Sequence, residues 1–282
     1  MTLVLVGTPI GNLSDLSPRA VAALEAADVI CCEDTRRTGR LLQHAGVPRR
    51  PLVVVNDHTE ADAVSGVMER LARGERVAVV SDAGMPGVAD PGERLVRAAV
   101  AAGHAVEVVP GPSAAITAVV LSGLPTGRWC FEGFLPRKGS GRTERLAEVA
   151  AERRTTVLYE APHRLARTLA DLAAACGGDR RVAIGRELTK LHEETWRGTL
   201  AGAVKWVAAQ PPRGELVVVL DGAPAPVPAD DEAVVAAVRA RLDAGDSARD
   251  AAATVASSLG VPKRQAYDAA VRSAAEDEPP RT

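Results

Sequence analysis

Aromatic side chains make up only 2% of this 282-residue chain, so its core must be built mostly from Val, Leu and Ala. Cysteine is scarce too. The four thiols are Cys31, Cys32, Cys130 and Cys176, and no pair has the C-x-x-C spacing, which argues against a zinc cluster or a redox motif. They read as buried free thiols of a reducing compartment. No run approaches the ~20 apolar residues of a membrane span. The N-terminal "LVLV" is short and lacks the basic flank of a secretory signal. A soluble cytoplasmic protein is expected. A formal charge of −2 speaks against a uniformly basic nucleic-acid coat, though not against a local basic patch.

Two nucleotide-binding signatures are absent as well. The loop "GTPIGNLSDLSPRA" (7–20) follows an apolar run and holds two glycines, but it has neither G-x-G-x-x-G nor a closing Gly-Lys-Ser/Thr. A nicotinamide-dependent dehydrogenase is disfavoured on that ground.

What is present is a real core, with 46% apolar residues, and an alternation of elements. Short β-branched runs at 3–6, 28–32, 52–55, 77–80 and 106–109 alternate with helical periodicity at 17–26, 34–44, 60–73 and 91–102. That pattern predicts βα units and a mainly parallel sheet covered on both faces. Strands at 155–160, 181–187 and 215–222, with helices at 162–175 and 199–209, predict a second α/β domain. The domains expected are 1–112 and 113–222, then a Pro-rich linker at 223–230. A small helical domain at 231–282 follows, with a frayed tail and a helix–turn–helix pattern around "LGVPK". It is either a packing appendage or a functional unit.

Three loops at strand ends are rich in Pro and Gly. In the first, Pro9 fixes φ, while Ser17 and Pro18 read as N-cap and first helical residue. The second, "SDAGMPGVADPG", is long and glycine-rich for a βα connection, as backbone approaching a ligand requires. Asp82 stands where a strand's carboxyl end opens onto the crevice of an open sheet, in reach of a ribose or an amino group. The alternative is a turn residue. The third, "PGPSA" (110–114), places Ser113 as a helix cap with free N–H groups facing the same crevice. One shared, preorganised pocket is expected.

Charged clusters accompany these loops. "CEDTRRTGRLL" (32–42), the basic loop "GFLPRKGSGRTERL" (133–146), "LYEAPHRL" (158–165) and "GRELTKLHEETWRGTL" (185–200) read either as solvated surface or as sites for phosphates and proton transfer.

Taken in order, these motifs resemble the ribosomal small-subunit methyltransferase I family, which is similar in fold to the tetrapyrrole methylases. The likeness spans about residues 2–222. The expected Thr of the second loop is Met85 here, and the expected Ser of Y-E-S-P-H-R is Ala161. The resemblance implies two α/β domains of tetrapyrrole methylase type with S-adenosylmethionine between them, and 2′-O-methylation of a cytidine in 16S rRNA. It implies action within the assembled 30S subunit, a homodimer and no metal. Carried over residue by residue, the cofactor contacts are Pro9, Asp82, Ala83, Gly84, Val88, Ala89, Ser113, Ala114, Tyr159, Glu160 and Gly214. The candidate bases are Asp34, Glu160, His163 and Glu187. Arg36, Arg137, Lys138, Arg142, Arg164, Arg186 and Lys190 are expected to hold phosphates. A tetrapyrrole C-methyltransferase of the same fold and a non-catalytic RNA-binding module are the competing readings.

Overall fold

A computed structural model describes residues 1–56, 59–225 and 230–276. The chain divides into two compact units, Met1–Ala223 and Pro224–Thr282.

The first unit opens with the expected alternation: β1 (Thr2–Val6), α1 (Pro18–Glu25), β2 (Val29–Cys32), α2 (Thr35–His44), β3 (Leu52–Val54), α3 (Glu60–Ala72), β4 (Val77–Val79), α4 (Glu93–Ala101) and β5 (Ala105–Val109). Every pairing among these strands is parallel, in the order β3-β2-β4-β1-β5. All five carboxyl ends therefore point to one edge, and the three Pro/Gly loops emerge together there. The strands are apolar at successive positions because both faces are covered. Val4, Ile30 and Ala78 pack with Ala20 and Leu24 of α1 on one face. Leu3, Cys31 and Val79 pack with Leu71 of α3 and Leu95 of α4 on the other.

The chain continues through α5 (Ala114–Ser122), β6 (Trp129–Phe134), α6 (Ser140–Ala151), β7 (Thr155–Glu160), α7 (Pro162–Cys176), β8 (Arg181–Arg186), β9 (Glu194–Thr199), α8 (Leu200–Ala209) and β10 (Leu216–Leu220). This second sheet has the order β6-β7-β10-β8-β9. Only β6–β7 is parallel; the other three pairings are antiparallel. Helix α5 leaves the first sheet but packs on the second, where Ala115, Ala118 and Val119 meet Val157, Val217 and Val219. Ile10 from the opening loop joins the same cluster, so the first loop is anchored to the second sheet.

Two segments differ from expectation. The predicted basic loop at 133–146 runs from strand β6 into helix α6. Arg142, Leu146 and Val149 are spaced to share one face of that helix, and it is the buried face. The charged stretch 185–200 contains strand β9, which its polar residues conceal.

The second unit holds α9 (Asp231–Asp243), α10 (Ala248–Leu259) and α11 (Lys263–Glu276), packed around Val234, Val238, Val255 and Ala266. Gly260, in the left-handed region at φ 64°, ends α10, and Val261–Pro262 turn the chain into α11. Part of the expected linker (226–229) and most of the expected frayed tail "AEDEPPRT" (277–282 of 275–282) lie outside the described residues; the first two residues of that tail end α11. Among those residues no helix is long and apolar enough to cross a membrane.

Candidate active site

The geometry of the site begins with loop closure. Gly7 donates its N–H to Val109 O at 2.9 Å, tying the first loop to the third. Thr8 and Gly84 exchange two backbone hydrogen bonds, at 2.9 and 3.2 Å, tying the first to the second. Ser17 caps α1 by accepting from Ala20 N at 3.1 Å, with Pro18 at the first helical position. Ser113 caps α5. Three loops are thus held by backbone contacts rather than by long flexible side chains, which is what preorganises a binding surface.

Between the strand ends of the two sheets lies a cavity of about 380 Å³. Asp82, Ala83, Gly84, Val88, Ala89, Ser113 and Ala114 line it from the first sheet, and Tyr159, Glu160 and Gly214 from the second. Ala89 adopts φ 61°, an uncommon conformation for a residue with a Cβ. Pro9 is not on this wall. It lines an adjoining cavity of about 290 Å³ with Thr8, Arg37, Arg40, Ser81 and Asp82, and Ile10 takes the place expected of it. Sequence reading also missed Met85, Phe134, Leu188 and Glu215 on the wall of the main cavity. Phe134 meets Tyr159 edge to face, with 5.7 Å between ring centroids. Among the described residues lining the cavity the charged ones are the acids Glu33, Asp82, Asp90, Glu160 and Glu215 and the base Arg37; of these, Glu160 is paired with Arg164 and Glu215 with Lys190.

The four candidate bases are not gathered at one point. Asp34 is the N-cap of α2 and accepts from the N–H groups of Arg36 and Arg37. Those bonds, the Arg36 N–H first, lower its pKa. Glu160 is buried with both oxygens engaged. Oε1 accepts from Ala161 N at 2.9 Å and lies 3.1 Å from Arg164 Nε; Oε2 accepts from Thr168 Oγ1 at 2.5 Å. Glu187 accepts from Lys190 Nζ and from Glu215 N, each at 2.9 Å. Burial pulls its pKa up, but these donors outweigh burial and the net shift is downward. His163 is exposed on the first turn of α7. It lines a third cavity of about 260 Å³ with Arg137, Arg142, Arg164, Arg167 and Thr168.

The arginines separate into two kinds. Arg36 extends into solvent with its side chain 88% exposed, and Arg137 and Lys138 are exposed on the β6–α6 connection. Arg142, by contrast, is buried. It donates to Asp171 Oδ2, Pro136 O and Thr168 Oγ1, at 2.9, 2.9 and 3.0 Å. It braces α6 against α7 and is not a mobile phosphate ligand. Arg186 pairs with Glu194 at 3.1 Å. Lys190 pairs with Glu187 and Glu215, at 2.9 and 3.1 Å. Gly214 shows why that knot is tight: a Cβ there would lie 2.2 Å from Glu187 Oε1, and its φ is 86°.

A parallel sheet that feeds a mixed one, with a ligand-sized cavity at the facing strand ends, is the architecture of the tetrapyrrole methylase class. The family model for tetrapyrrole (corrin/porphyrin) methylases matches residues 2–204. The methyltransferase CobJ superposes with a TM-score of 0.61 at 25% identity, covering 79% of this chain and 94% of that one. Diphthine synthase superposes with a TM-score of 0.60 at 17% identity over 78% and 90%, a likeness of fold. Full-length relatives are more specific. The ribosomal RNA small subunit methyltransferase I of Mycobacterium bovis is 47% identical over 96% of this chain and 95% of its own. That of Synechocystis is 43% identical over 94% and 95%. This chain belongs to the ribosomal RNA small-subunit methyltransferase I family.

Proposed function

We propose that the protein transfers a methyl group from S-adenosylmethionine to the 2′-hydroxyl of a cytidine in 16S rRNA. The observation that supports this reading best is a division of charge. Five acids and one arginine are among the residues lining the main cavity, whereas two other cavities are lined by arginines: Arg40, Arg137 and Arg167 are exposed there, Arg37 is shared with the main cavity, and Arg142 and Arg164 are engaged with Asp171 and Glu160. A carboxylate-rich lining suits a ligand bearing a sulfonium and an ammonium and no phosphate; it would repel a dinucleotide's pyrophosphate. Arginine-lined surfaces suit a phosphodiester backbone.

The residues present fit that cofactor. The backbone at Asp82–Gly84 and Val88–Ala89 and the N-terminus of α5 offer polar groups. Tyr159, Phe134 and Val217 offer apolar surface, and about 380 Å³ lies within the range of small-molecule sites, ~300–1,000 Å³. When bound, S-adenosylmethionine supplies a methyl group already activated on sulfur. The protein's task is to align an oxygen with it and exclude competing geometry, and positioning of this kind contributes several kcal/mol to a rate.

Arginines suit the carboxylates of a tetrapyrrole as well as the phosphates of RNA; it is the likeness to ribosomal RNA methyltransferases that favours RNA as acceptor. Action on the assembled 30S subunit, a homodimeric state and a cytoplasmic location belong to the same reading and rest on the family likeness alone. The test is mass-spectrometric mapping of 16S rRNA from cells lacking the protein, with purified protein then added back to their 30S particles. Loss of one 2′-O-methylcytidine, restored on add-back, is the expected result. An unchanged modification map overturns the reading.

A further inference from the structure

We propose that the cavity of about 290 Å³ beside the cofactor cavity receives the acceptor nucleotide, and that Asp82 takes the proton of the hydroxyl being methylated. This rests on the RNA 2′-O-methyltransferase reading above and assigns its substrate site.

The placement comes first. The two cavities share Asp82 and Arg37 as common wall, so a group seated in one meets a group seated in the other across that pair. The volume lies at the lower end of ligand cavities and suits one nucleotide splayed from its neighbours, as single-stranded recognition requires. Leu13 and Leu41 give it apolar surface for a base, and Arg37 and Arg40 stand on α2 for its phosphates.

Ser81 lines the same cavity and is 3% exposed, and its buried hydroxyl has no hydrogen-bond partner. The backbone around it is fixed: Thr8 Oγ1 donates to Ser81 O at 3.2 Å.

Asp82 is the carboxylate with capacity to spare. Oδ1 accepts from Asp34 N at 3.2 Å, and Oδ2 lies 3.4 Å from Arg37 Nη1, beyond a good hydrogen bond. The groups facing it are Arg37 and Arg40 from α2, Asp34 at the cap of that helix, and Glu33, whose carboxylate accepts the Asp82 N–H at 2.9 Å. Burial raises the pKa of Asp82, more than the Arg37 guanidinium lowers it. That direction improves a carboxylate as a proton acceptor near neutral pH. The step balances. The O–C bond forms as the S–C bond of the sulfonium breaks, the hydroxyl proton passes to Oδ2, and the neutral thioether S-adenosylhomocysteine departs.

The experiment compares the full-length wild type with Asp82→Asn and Arg40→Ala. It measures methyl transfer to 30S particles lacking the modification, calorimetric binding of S-adenosylmethionine, and anisotropy binding of a labelled RNA fragment with S-adenosylhomocysteine present. Asp82→Asn is expected to lower the single-turnover rate, measured at saturating S-adenosylmethionine, about 10²–10⁴-fold and to remove the acidic limb of its pH profile. Arg40 is exposed and its loss spares the fold; Arg40→Ala is expected to weaken RNA binding about tenfold with cofactor affinity unchanged. Wild-type rates in Asp82→Asn, or unchanged RNA binding in Arg40→Ala, overturn the site assignment while leaving the enzyme reading intact. A wild-type protein that binds the cofactor but methylates no RNA overturns both.

Discussion

Replacing Gly7 with alanine tests whether close backbone approach builds the proposed cofactor site. A Cβ at Gly7 would stand 2.6 Å from both Cα and N of Gly111 and 2.7 Å from Met85 Sδ, where ordinary contact begins near 3.4 Å. Met85 can rotate away; the Gly111 backbone cannot. Two chain segments must part, and one of them leads directly into Ser113 and Ala114 on the cavity wall. Overpacking of this kind costs about 1–3 kcal/mol. The unit concerned spans Met1–Ala223, and a domain of that size loses about 2–4 °C in Tm per kcal/mol, so the fall is roughly 2–12 °C. Cofactor affinity is expected to drop about tenfold, the equivalent of ~1.4 kcal/mol. The control is Gly66→Ala inside α3, where a Cβ meets nothing within 4 Å; helix propensity there favours alanine by up to ~1 kcal/mol. Thermal unfolding by circular dichroism and calorimetric titration with S-adenosylmethionine read both effects. A Gly7→Ala protein with wild-type Tm and affinity, beside a control that behaves as stated, refutes the reasoning.

Three further outcomes follow from the same contacts. Arg164→Ala leaves the Glu160 carboxylate, 1% exposed, without its cation; a loss of about 3 kcal/mol in urea unfolding is expected, largely recovered when Glu160→Gln is added. Burial pushes the Cys31 thiol up from 9.0 to about 12, so native Cys31 is expected to alkylate at pH 8 roughly a thousandfold more slowly than in urea. Because the folded pKa is raised, the associated stability is complete below pH 9 and lost as pH climbs toward 12, and labelling of native Cys31 as fast as unfolded Cys31 contradicts its burial. Arg137→Ala with Lys138→Ala should weaken RNA binding and flatten its salt dependence; an unchanged slope removes the β6–α6 connection from the RNA surface.

The site was legible where local chemistry alone sets geometry. Ser17 and Ser113 cap the helices assigned to them, because a cap is decided within four residues. The loops 81–92 and 110–114 stand at the strand ends read from their apolar runs, so Asp82, Gly84, Val88 and Ser113 fall on the cavity wall. Arg142 shows where this reasoning stops. Its neighbours Gly139, Ser140 and Gly141 suggested a loop, yet its partners Asp171 and Thr168 stand 29 and 26 residues away. The spacing of Arg142, Leu146 and Val149 was the available signal for a buried helical face. Glu160 and Glu187 were recognised as acids at strand ends, but their engagement by Arg164, Thr168, Lys190 and Glu215 depends on which segments meet.

By itself the sequence determined the alternation of strands and helices in the first sheet and the family, because hydrophobic period, caps and Gly/Pro spacing are local quantities. It determined that three rigid loops would share one edge, because parallel strands leave no other arrangement. The tertiary structure alone decided that the second sheet is largely antiparallel, that Ile10 rather than Pro9 faces the main cavity, and that Asp82 stands between two cavities. Each of those depends on contacts between segments distant in the chain, where complementary packing and charge choose among partners that the local pattern leaves equivalent.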